Sequence, residues 1–139
     1  MTLHITKPAS PSDADREAVL APLRAYNVSQ AGDPYSRSLA LILTDEDGEQ
    51  VGGLWGRYTY DWLFIEYLAV PEPHRRGNYG TALMNQAEDA ARGAGCIGIW
   101  LDTFQFQARG FYEKLGYEVF GTLDDQPIGQ QQFFMRKRL

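Results

Sequence analysis

Cysteine is nearly missing from this chain: Cys96 is the only one among 139 residues. A lone thiol excludes an internal disulfide framework. With only His4 and His74 beside it, the chain cannot build a cysteine-rich zinc site, and no bound metal is expected. Long hydrophobic runs are missing too. The longest strongly apolar stretch, Leu63 to Val70, carries Glu66 and is too short to cross a bilayer. Met1 to Ser10 holds one lysine and no apolar stretch, which is not the form of a secretory signal. The expectation is a cytoplasmic, soluble protein with no membrane partner. An excess of positive charge is also lacking. Thirteen basic against eighteen acidic side chains leave a net charge of −5, which argues against a nucleic-acid-coating surface.

What remains is ordinary globular composition, 44% hydrophobic and 22% charged, with no repeat or low-complexity segment. That suits one domain over residues 1–139 with its own core. Leu3–Ile5 reads as a short first strand. Ser12 followed by Asp15 is a helix-start signal. Val19, Leu23 and Tyr26 share a helical face, and Pro22 predicts a kink or two short helical pieces. Asn27 to Ser36, with Gly32 and Pro34, reads as loop or irregular helix. Leu39–Leu43 and Val51–Thr59 flank Asp47-Gly48, a hairpin turn signal. Leu63–Val70 follows as the most apolar and most central strand. A helix is expected from about Gly80 to Arg92, then a strand from Cys96 to Leu101. Ala108, Phe111, Tyr112 and Leu115 have helical spacing, and Gly116 stops that helix. Tyr117–Phe120 and Gln132–Leu139 read as closing strands.

The informative order is apolar strand, Arg/Gly loop, helix. A helix start presents unpaired backbone N–H groups and the positive end of the dipole, so it suits an anion. Gly77 and Gly80 permit close approach, and Arg75 and Arg76 add charge; a pyrophosphate fits this chemistry. The loop lacks the Gly-Lys-Ser/Thr ending of nucleotide hydrolases and the three-glycine spacing of dinucleotide sites. Taken alone, it also suits a plain strand-to-helix turn with solvated arginines.

Two segments together resemble a known family. Leu68-Ala69-Val70-Pro71-Glu72, then Arg75 through Leu83, is similar to motif A of the GNAT N-acetyltransferases, Arg/Gln-x-x-Gly-x-Gly/Ala after a strand ending Leu-x-Val. Asn78 stands in place of the middle glycine. Gln105-Phe106-Gln107-Ala108, continuing to Gly116-Tyr117, resembles motif B, Asn-x-x-Ala-x-x-Phe-Tyr-x-x-x-Gly-Phe/Tyr, with Gln105 in place of Asn. The segments lie about 25 residues apart in the family's order, and the close match covers about residues 63 to 121.

The resemblance implies a mixed α/β (α+β) fold. Its sheet is mostly antiparallel, with helices on both faces and two central strands that splay apart. It implies acetyl-CoA as donor and direct transfer to an amine in a ternary complex. The strands Leu63–Val70 and Cys96–Leu101 would flank the cofactor. Leu68, Ala69 and Val70 would pair with the pantetheine arm. Arg75, Arg76, Gly77, Asn78, Tyr79, Gly80 and Thr81 would hold the pyrophosphate, and Gln105 would contribute a further cofactor contact. Tyr112 matches the family's acid tyrosine. Glu66 is the candidate base, placed by ideal alternation on one face with Leu68 and Val70. Asn27, Trp62, Asp102 and Phe104 are candidates for the acceptor pocket. The acceptor is expected to be a small, cationic amine, with a peptide amine or a non-catalytic acyl-CoA-binding module as alternatives. A homodimer is compatible with the family.

Overall fold

The computed structural model describes all 139 residues. The chain divides into two compact units, residues 1–34 and 35–139. The first is built on α1, Asp13–Ala31, which opens with the expected capping box: Ser12 accepts from the Asp15 N–H while Asp15 accepts from the Ser12 N–H. Two expectations fail here. The helix is one piece through Pro22, not two, and it reaches Ala31, covering half of the segment that reads as loop or irregular helix. Alanines at 14, 18, 21 and 25 favour the helix on both sides of the proline, and Arg24 bridges to Glu17 at 2.8 Å across it. The stop comes at Gly32, whose φ of 79° only glycine adopts readily. Leu3–Ile5 forms no strand; Leu3 and Ile5 are exposed. Three residues with no strand beside them cannot offset the entropy of ordering.

The second unit is a six-stranded sheet in the order β1-β2-β3-β4-β6-β5. Its strands are β1 Arg37–Thr44, β2 Gln50–Thr59, β3 Trp62–Ala69, β4 Gly98–Phe104, β5 Glu118–Asp124 and β6 Gln131–Arg138. All neighbours are antiparallel except β3 and β4. The helix α2, Tyr79–Gly93, makes the β3-to-β4 crossover, and the short α3, Arg109–Lys114, follows β4. The mixed α/β class and the mostly antiparallel sheet agree with the sequence reading. Alternation sorts the strands cleanly. Leu54 and Tyr58 of β2, Leu63 and Ile65 of β3, Ile99 and Leu101 of β4, and Phe133 and Met135 of β6 are buried. They share one core with Leu83, Met84, Ala87 and Ala91 of α2 and with Tyr112 of α3.

A polar knot fastens α2 to this side of the sheet. Glu88 is 4% exposed. Its carboxylate accepts from Lys137 Nζ at 2.8 Å and from the Tyr117 hydroxyl at 3.2 Å. Both oxygens are thus satisfied, which burial demands of a charged group. Burial, with the Glu88 charge second, pushes the Tyr117 phenol far above its ordinary value.

Candidate active site

The site originates in how β3 and β4 part. They pair in parallel over four rungs, from Trp62–Gly98 to Ile65–Leu101. Beyond that, β3 stays with β2 as far as the Ala69–Gly53 pair, and β4 stays with β6 as far as Phe104–Gln132. Each strand follows its outer neighbour, so a gap opens between Glu66–Ala69 and Asp102–Phe104. The β3 edge facing that gap has no strand partner.

A bulge marks the parting. Trp55 pairs with Tyr67 and Gly56 with Ile65, so Glu66 is one residue in excess on β3. The extra residue reverses the alternation. Leu63 and Ile65 face the core before it, and Leu68 and Val70 pack against the same core after it. The expected placement of Glu66 with Leu68 and Val70 is therefore corrected. Glu66 lies toward Arg57, at 3.9 Å, a side chain from the solvent face of β2 that also covers the Phe64 ring.

After β3 the chain passes Val70 and Pro71 into a single 3₁₀ turn, Glu72–His74. Arg75 folds back, its Nε donating to the Val70 carbonyl at 3.1 Å, which ties the loop to the strand end. Asn78 precedes α2 in the left-handed region, φ 62° and ψ 21°, a conformation that asparagine tolerates better than most residues other than glycine. The first helical bond is Ala82 N–H to the Asn78 carbonyl. The N–H groups of Tyr79, Gly80 and Thr81 thus stand at a bare helix start. A Cβ at Gly77 would meet the Tyr79 ring at 2.6 Å, so a larger residue there would have to push that exposed side chain aside. At Gly80 a Cβ would lie 3.2 Å from Phe111, so α3 closes on the start of α2. Arg76 is exposed on the loop.

Tyr112 is 7% exposed. Burial and then the Asp102 charge push its phenol up to about 12, so it holds its proton at neutral pH. The turn leading to it is fixed by Gln107, absent from the sequence-based candidates. Gln107 Oε1 accepts from Phe104 N–H at 2.7 Å and from the Thr103 hydroxyl at 3.3 Å. That hydroxyl oxygen in turn accepts from Ala108 N–H at 3.4 Å. Gln105 is placed differently from the sequence expectation. Its amide oxygen accepts from Gln131 N–H at 2.9 Å, so it clamps β4 to β6 instead of reaching for a ligand through that atom. The longer side chain is what lets it reach the neighbouring strand.

The four acceptor-pocket candidates separate. Asp102 and Phe104 lie on β4 at the gap, with Asp102 Oδ1 accepting from Gln132 Nε2 at 3.1 Å and Phe104 stacked on Phe106 at 5.4 Å. Trp62 sits at the opposite, closed end, its ring over Gly98 and under Arg138, and is not brought to the site. Asn27 is on the exposed surface of α1 in the first unit. Arg57 and Gln132 also escaped the sequence reading, because neither neighbours its carboxylate in sequence. A cavity of about 360 Å³ lies where the β1–β2 hairpin meets the loop into α2, lined by Leu43, Val51, Pro71, His74 and Tyr79.

The site thus joins a parted pair of parallel strands, a bare helix start on the crossover between them and a buried phenol that feels the Asp102 charge. The profile of the Acetyltransferase (GNAT) family matches residues 4–117. Acetyltransferase Atu2258 of Agrobacterium fabrum is 34% identical over 128 residues, 91% of this chain and 93% of its own length. Blasticidin-S acetyltransferase of Streptomyces morookaense is 35% identical over 129 residues, 90% of this chain and 91% of its own. A crystal structure of an acetyltransferase from Agrobacterium tumefaciens superposes with a TM-score of 0.92 at 30% identity, covering 99% of this chain and all 100% of that one. The chain belongs to the GNAT acetyltransferase family, whose acyl donor is acetyl-CoA.

Proposed function

We propose that the chain, acting over residues 1–139 as one GNAT domain, transfers the acetyl group of acetyl-CoA directly to the primary amine of a small, cationic acceptor. The observation that carries this is the end of β3–β4 pairing at Ile65–Leu101, which leaves a bare strand edge leading to a bare helix start. Those features fit the donor. An extended amide-bearing arm can pair with the edge of residues 66–69, and a pyrophosphate suits the N–H groups of Tyr79, Gly80 and Thr81. Arg75 and Arg76 supply charge beside them. The donor brings an activated acetyl thioester.

The chain's own residues then divide the proton work. The acceptor must present a neutral nitrogen, so a carboxylate at Glu66 takes the ammonium proton, directly or through water. Nitrogen attack on the carbonyl expels the thiolate; the Tyr112 phenol, protonated at neutral pH, donates to it, and the second proton that the nitrogen sheds as the amide forms returns to the phenolate. No covalent intermediate on the protein is needed. Support for a small acceptor comes from the relative named for blasticidin S.

The test is acetyl-CoA-dependent release of free thiol with a panel of amines and peptides, with product mass measured. An increase of 42 mass units on a small amine is expected. Saturable acetyl-CoA binding with no transfer to any acceptor would leave a binding module and overturn the proposal. Transfer to peptides alone would overturn the small-acceptor part.

A further inference from the structure

On the face of the sheet opposite the core, β3 and β4 carry a ladder of aromatic and acidic side chains, of which the transfer chemistry uses Glu66 alone. Ile99, Leu101 and Thr103 point into the core, so Trp100, Asp102 and Phe104 share the other face of β4. Trp100 stacks on Phe64 at 4.1 Å across the next-to-last rung of the parallel pair. Asp102 follows immediately where the strands part. It is half-buried, it has Trp100 and Phe104 as its neighbours along that face of β4, and one oxygen is oriented by Gln132 at 3.1 Å. Glu66 stands on the opposite bank of the gap, on the same face as Phe64 through its contact with Arg57.

The two carboxylates are not equivalent. Glu66 has a cationic neighbour in Arg57 at 3.9 Å. Asp102 has a neutral one, the Gln132 amide, and no salt bridge within the protein. A half-buried carboxylate held by a neutral donor and flanked along its strand by aromatic side chains is complementary to a positive charge on a flat apolar body. We propose that Asp102 is the specificity-determining residue of the acceptor side: it binds a second positive group of the acceptor, while Trp100 and Phe104 cover the flat part between that group and the reacting amine. The acceptor class is therefore a compact dication with a planar middle, not a simple alkylamine. This rests on the acetyl-transfer reading above and adds the choice of acceptor to it.

A matched pair of amines tests it. 1,4-Bis(aminomethyl)benzene carries a second ammonium; 4-methylbenzylamine has the same ring with a methyl instead. In the wild-type protein, kcat/KM for the dication should exceed that for the monocation by about tenfold or more, since one semi-buried charge pair is worth that much. In Asp102→Asn the preference should fall to about twofold, the statistical advantage of two equivalent amines, with the loss in KM for the dication. Gln132→Leu, which frees the carboxylate without removing it, should give an intermediate ratio and serves if the first variant fails to fold. A wild-type ratio near two, or a ratio unmoved in both variants, overturns the assignment of Asp102 while leaving acetyl transfer intact. Should neither amine be acetylated, the transfer reading fails for this class. Calorimetric binding of the dication to the CoA-saturated protein then decides on Asp102: about tenfold weaker binding in Asp102→Asn supports it, and equal binding overturns it.

Discussion

The lower and upper halves of the β3–β4 pair are built from one continuous pair of strands, yet they obey different rules. Below Ile65–Leu101 the strands hold each other, their core-facing side chains are fully buried and the opposite face is sealed by a stacked aromatic pair. Above it each strand abandons the other, and two carboxylates, Glu66 and Asp102, stand on the opposing banks, with the Asp102 charge felt by the Tyr112 phenol of α3. The lower half spends its sequence on apolar contact, which stabilises. The upper half leaves backbone groups unpaired, which costs stability but creates a place for an extended ligand. Stability and chemistry are separated by a single rung.

That separation can be broken in order of expected effect. Leu101→Ala, in the closed half at 1% exposure, should destabilise by about 2–5 kcal/mol, measured by denaturant unfolding, with kcat per folded molecule near wild type. An equal loss of kcat would show that the halves are not separable. Tyr112→Phe, at the open half, should lower kcat by about 10²-fold with acetyl-CoA affinity nearly unchanged, read by steady-state kinetics beside equilibrium binding. Full activity in that variant would remove the phenol from the mechanism. Glu66→Gln should depress the rate by about tenfold at low pH, where neutral amine is scarce, and less at high pH; a pH–rate profile superimposable on wild type would place the base elsewhere.

The smallest effect concerns Tyr112 as a folded-state group. Its phenol is raised from about 10 to about 12, first by burial and then by Asp102. A raised pKa means the folded state holds the proton more tightly. The resulting stabilisation is fully present below about pH 10 and is lost as pH climbs through about 12. The difference in melting temperature between wild type and Tyr112→Phe should therefore change across that window and stay constant below it. A flat difference through pH 12 would mean the phenol is not buried in solution.

The sequence made the regular parts of this molecule legible. Helical spacing at Ala108, Phe111, Tyr112 and Leu115 and the Asp47-Gly48 turn are local signals, and the structure carries α3 and the β1–β2 hairpin there. The strand–loop–helix order around Arg75 to Thr81 was legible for the same reason. The bulge was not. Leu63 to Val70 contains no glycine or proline to mark an inserted residue, and the slip shows only when β2 is laid beside it. Gln132 and Asp102 stand 30 residues apart, and Gln105 and Gln131 stand 26 apart, so sheet order alone brings them together. The continuation of α1 through Pro22 runs against local propensity, which weighs proline more heavily than the alanines around it.

The excess residue on β3 also constrains how the gene can change. Replacing the codon for Glu66 alters one side chain. Deleting it removes the bulge and leaves the phase: Ile65 and Tyr67 already pair with the adjacent β2 residues Gly56 and Trp55, so Leu68 and Val70 keep facing the core. What a deletion takes away is the local bend and added twist of a bulge, at the point where β3 leaves β4. Substitution at this position is a question of proton transfer, whereas an in-frame deletion is a question of whether the two strands still part.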